Sequence, residues 1–123
     1  MSMLLALAAA VAAPQACPAK VGSSERAAVA FYSLLLKNSQ ASADSAAKSG
    51  DLAWAKKERL EVRENRSQVL GYQVQLGYAY LDAGCLGEAK TTFAEVWKWN
   101  TPEYAPFPQQ AREALNLMAS KRQ

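Results

Sequence analysis

The chain has 123 residues, 50% of them hydrophobic, and a formal charge of +3 from 14 basic and 11 acidic side chains. That length gives room for one domain around one core, and a charge so small and so mixed along the chain gives no reason to invoke nucleic acid. Histidine is absent, which removes the commonest general base, the Ser-His and Cys-His nucleophile systems and histidine metal sites.

Leu4 to Ala13 is an unbroken apolar run followed by Pro14-Gln15-Ala16. It is too short to span a bilayer and reads as the apolar region of a secretory signal peptide. Residues 1–16 are therefore expected to be a leader, with Ala10-Val11-Ala12 as a small-x-small cleavage site and a cut after Ala16 as its rival. No Lys or Arg precedes the run, which departs from the usual pattern; the alternative is an alanine-rich helix that stays and packs. Residues 17–123 are expected to form a single helical domain, periplasmic or secreted, with no firm membrane insertion after cleavage.

Two cysteines, Cys17 and Cys85, lie beyond the favoured cleavage site and would reach an oxidising compartment. A bridge would tie the mature N-terminus to a tight turn and contribute about 2–4 kcal/mol. Two free thiols are the second reading. Lipidation of Cys17 is the third, although that chemistry wants Leu three residues earlier, where Pro14 stands.

Further along, alanine is abundant, glycine and proline are sparse within the periodic segments, and no strand-like alternation lasts. The class expected is all-α. Ser23 or Ser24 can cap a first helix, with Glu25 suited to its positive end. Ala27, Phe31, Leu34 and Leu35 make an apolar face, and nothing breaks the segment firmly before Gly50, although Asn38-Ser39-Gln40 leaves one helix or two open. Asp51 caps a charged helix to about Arg66, and Ser67 is placed as the cap of the next, running to about Ala83. In that helix Tyr72, Leu76, Ala79 and Ala83 recur at three- and four-residue intervals. Gly84 then stops the chain, and Leu86, Ala89, Phe93 and Val96 form a second face. So short a turn makes the two helices antiparallel, with Gly77 and Ala89 small enough for close approach and Tyr80 and Phe93 filling the space around. Asn100-Thr101-Pro102, Pro106 and Pro108 read as a rigid connector. Ala111, Ala114, Leu115 and Met118 then form a final amphipathic helix, with a polar outer face suited to capping an array.

The pattern Leu76-Gly77, Tyr80, Gly84, Ala89, Phe93 resembles the signature of a tetratricopeptide repeat. One period back, about 34 residues, Gly50, Leu52, Ala55 and Val62 fall under Gly84, Leu86, Ala89 and Val96. At the aromatic positions Arg59 replaces Phe93 and Ala46 replaces Tyr80, so the earlier copy is degenerate. The resemblance covers roughly 36–103 and implies antiparallel helical hairpins with a C-terminal cap. It also implies a groove lined by the first helix of a pair. Carried over, the partner-facing candidates are Val74, Tyr78, Leu81 and Asp82. Val74 and Tyr78 depart from the Lys and Asn of members that clamp a carboxylate, so an apolar or aromatic contact is expected. Alternatively, the same residues pack under the N-terminal helix.

Trp97, Trp99, Tyr104 and Phe107 either build a joint or leave an aromatic patch; Trp97 is expected inside, and Trp99 is a further candidate for partner contact. Glu58, Glu61 and Glu64 lie three apart but are interleaved with Lys56, Lys57, Arg59 and Arg63, and they read as a solvated, mixed-charge face. The basic members of Lys56 to Arg66 could attract anionic headgroups or an acidic partner. Two widely spaced cysteines cannot build a structural zinc site, and no phosphate loop is present; no catalytic residue, metal or cofactor is expected. The leading expectation is an exported adaptor that holds a protein or peptide partner in envelope assembly or secretion. An accessory or inhibitor subunit of an enzyme is the alternative, and a small carboxylate-dependent hydrolase, needing only two carboxylates, is the third.

Overall fold

The computed structural model describes residues 17–120, so the expected leader lies outside the described residues. Within them the regular structure is helical: α1 (Ser23–Ser49), α2 (Leu52–Asp82), α3 (Leu86–Trp97), a 3-10 turn (Pro102–Tyr104) and α4 (Phe107–Ser120). The fold is all-α. Helix α1 packs on α2, α2 on α3, and α3 on α4, with α4 also reaching α2. None of the described helices is long and apolar enough to cross a membrane.

α1 is one unbroken helix. Asn38-Ser39-Gln40 does not divide it, because Ser39 Oγ donates back to the Leu35 or Leu36 carbonyl within its own helix and also accepts from Asn65 Nδ2 of α2 at 3.3 Å. A serine that finds these local partners has no cause to break the ladder. Its N-cap is Gly22 and not Ser23 or Ser24, and no side chain caps it. Arg26 instead bonds the Ala19 and Val21 carbonyls and holds down the chain that leads in.

The buried and half-buried positions between α1 and α2 recur every seven residues, Tyr32, Ser39 and Ala46 facing a row of Ala55, Val62, Val69 and Leu76. That is coiled-coil spacing, and Tyr32 stacks on Tyr72 within it at 5.6 Å. The expected face of Ala27, Phe31, Leu34 and Leu35 is corrected: Phe31 and Leu34 point outward, 56% and 58% exposed.

α2 is the second correction. No helix starts at Ser67; α2 runs without a break for 31 residues, about 46 Å at 1.5 Å per residue. Leu52 to Leu70 contains no glycine or proline and is rich in good helix formers, and the α1 seam continues past Ser67 on both sides. Asp51 caps its start as expected, accepting from the Trp54 N–H at 3.0 Å.

Both hairpin turns are built the same way. Gly50 and Gly84 have φ of 78° and 79°. At the second turn the Gly84 N–H reaches the Leu81 carbonyl and the Cys85 N–H the Tyr80 carbonyl; at the first, Gly50 reaches Ala47 and Asp51 reaches Ala46. This paired closure needs a left-handed residue, which glycine supplies at least cost.

The core gathers where α2, α3 and α4 meet: Leu70, Val74, Ala89, Phe93, Val96, Tyr104, Ala111, Ala114 and Met118. Full burial of a side chain the size of Phe93 or Leu70 contributes about 1.5–3 kcal/mol. Gly77 opens the space that the Phe93 ring enters. α4 begins earlier than its apolar spacing implied, at Phe107, because Pro108 falls in the first turn, where no N–H is needed. Phe107 lies against Gly71, so the aromatic residues around the connector form the joint between α2 and α4.

Candidate functional site: a partner-binding surface on α2

The five expected partner-facing residues do not form one surface. Val74 is corrected: it is 5% exposed and belongs to the core. Leu81 is half-buried against the same core. Tyr78 stays 40% exposed, its ring set edge-on to Phe93 at 5.2 Å, and Asp82 is exposed at the end of α2. The reason lies in α2 itself. In its C-terminal half, α3 and α4 cover the face that a two-helix unit would turn toward a groove.

Trp99 belongs to a different neighbourhood. It is 39% exposed, its ring carries the Arg66 guanidinium at 4.0 Å, and it meets Tyr104 edge-on at 6.0 Å. A guanidinium over an indole contributes about 0.5–1 kcal/mol at an exposed site. Trp97 is half-buried under Arg112.

Tyr104 leads from Trp99 to an open cleft of about 370 Å³ between α2 and the 3-10 turn. Lys56, Arg59, Leu60 and Arg63 line its α2 wall, and Glu103 and Tyr104 line the other. At 3.6 residues per turn, Lys56, Arg59 and Arg63 fall within about 60° of arc, and Glu58, Glu61 and Glu64 are centred about 170° away. Three of the basic side chains thus share one face of the helix, and the three glutamates lie on the other, where Lys57 stands among them. Glu58 and Glu61 line a second shallow depression, shared with Lys57 and Asn65 on the α1 side, and Glu58 accepts from the Trp54 indole at 3.2 Å. The ion pair found among the described residues is Lys98–Glu95, and among those residues Lys56, Arg59 and Arg63 have no carboxylate within bonding distance.

The basic cleft was open to sequence reasoning through its spacing of i, i+3 and i+7. What hid it was the count of opposite charges along the same stretch, which says nothing about the side of the helix each occupies.

Cys17 and Cys85 are bonded to each other, with an S–S distance of 2.07 Å and Cα atoms 5.6 Å apart. The bridge fixes the start of the described chain to the α2–α3 turn. The Glu88 carboxylate lies close to both sulfurs, but with the sulfurs joined no thiolate is left to bind a metal.

Comparison with protein-family models, with curated proteins and with solved structures finds no match to this chain.

Proposed function

We propose that this is an exported helical adaptor that holds a protein or peptide partner, related in build to the tetratricopeptide hairpin. The observation that carries this reading is the set of large apolar side chains left outward on a helical scaffold: Phe31 and Leu34 on α1, Tyr78 on α2 and Trp99 in the connector. Aromatic side chains supply contact area at low entropic cost. The 34-residue echo of Gly50 and Gly84, with buried Ala55 and Ala89 in matching places, supports the family likeness, although the two units share α2. The Cys17–Cys85 bridge supports an oxidising destination, periplasmic or extracellular.

The accessory or inhibitor subunit is the second reading, favoured by Trp99 standing half-exposed in the short α3–α4 connector, where it can enter another protein's cleft. The hydrolase reading has less support. Glycosidic carboxylates flank the scissile bond, whereas Glu58 and Glu61 project from neighbouring turns of one helix.

The test is site-specific photo-crosslinking in the source cells, with the reactive residue at Trp99, at Tyr78 and, as control, at Asn116. A discrete protein adduct from Trp99 or Tyr78 and none from Asn116 supports the adaptor. The absence of any adduct from all three removes it.

A further inference from the structure

One face of α2 changes character along its length. Leu70, Val74 and Gly77 occupy the same arc of about 60° as Lys56, Arg59 and Arg63. The first three are buried beneath α3 and α4; the second three are exposed. The covering layer stops at the 3-10 turn, and Leu60, 44% exposed, continues the apolar line beyond it. The uncovered half of this face therefore has the shape of a helix seat, bounded at one end by Glu103, Tyr104 and Trp99.

We propose that this seat takes an acidic amphipathic helix of a partner protein, laid along α2 as a continuation of the α3–α4 layer. The proposal rests on the adaptor reading and names the class of partner. Three free cations against one carboxylate, Glu103, demand an anionic occupant. The row from Lys56 to Arg63 spans two turns, which acidic residues at i, i+3 or i+4 and i+7 of a partner helix match, with an apolar side chain between them for Leu60. The concave form suits a helix better than a flat layer of anionic headgroups. The apolar leader segment, Leu4 to Ala13, has no acidic residue and does not complement the site.

The probes are a fluorescein-labelled amphipathic helical peptide with Glu beside Leu on one face, the same peptide with Lys for Glu, and phosphatidylglycerol vesicles. Anisotropy with the full disulfide-bonded chain should show binding of the Glu peptide that weakens with salt. Arg59→Glu with Arg63→Glu should weaken it by at least about tenfold, and Arg59→Gln with Arg63→Gln by less. Lys37→Glu with Lys48→Glu makes the same change of net charge on α1 and should leave affinity within about twofold. Equal loss in the cleft and α1 variants, equal binding of the Lys peptide, or capture of vesicles without the Glu peptide would each overturn the assignment. A cellular adduct at Trp99 that persists undiminished in the Arg59→Glu, Arg63→Glu chain would overturn this seat and leave the adaptor standing. Absence of every adduct in the chain with Arg59 and Arg63 intact would remove the adaptor itself.

Discussion

A Cβ placed on Gly77 would lie 2.5 Å from the Phe93 ring. No carbon fits there without a shift of the ring, and Phe93 is fully buried. The small residue expected at the crossing thus admits the Phe93 side chain.

Gly77→Ala should therefore destabilise the protein by about 1–3 kcal/mol through overpacking, even though alanine favours a helix by about 1 kcal/mol over glycine. Phe93→Ala should cost about 3–5 kcal/mol. In the double variant the ring is gone, so the cost of Gly77→Ala should vanish or change sign. Urea unfolding of the four proteins in the cycle measures this, and simple additivity would show that the two residues do not meet.

Gly50→Ala and Gly84→Ala should each cost about 1 kcal/mol for the left-handed conformation alone, because a Cβ meets nothing within 4 Å at either position. Thermal unfolding should place the two variants close together. A markedly larger loss at one would mean that the turns are not equivalent.

Replacing Cys17 and Cys85 with serine should lower stability by about 4 kcal/mol in the chain-entropy account of a loop spanning 68 positions. Mass spectrometry of the unreduced protein treated with an alkylating reagent should show no added mass. Two modified thiols would contradict the bridge.

Amide hydrogen exchange should divide α2. The amides of Leu70 to Leu81 lie between α1 and the α3–α4 layer and should be the most protected. Those of Ala53 to Arg63 have α1 on one side only and should open at lower free energy. Uniform protection along α2 would mean that the N-terminal half is covered.

Periodicity made much of this fold legible. The hairpin around Gly84, the cap at Asp51, the unbroken 23–49 region as one of two options and the apolar face of the last helix all follow from local spacing. The cysteine pairing followed as one of three readings. The continuity of α2 did not, because Ser67 is as good a cap as it is a helix residue and only the α1 seam decides between them. The outward turn of Phe31 and Leu34 was hidden for a related reason. The seam on α1 is built from Tyr32, Ser39 and small alanines, and a strongly apolar stripe beside it outweighs them in any reading of the sequence alone. Val74 was misplaced because a groove assignment takes one side of a helix to be free, and here both sides of that half of α2 are covered.

The basic cleft and the core lie on one face only because α2 is unbroken between them. Backbone 13Cα chemical shifts of the native protein across residues 60–74 test this most directly. Uninterrupted helical values through Arg66, Ser67 and Gln68 are predicted; coil values there would split α2 at Ser67, detach the basic row from the core face and contradict the account.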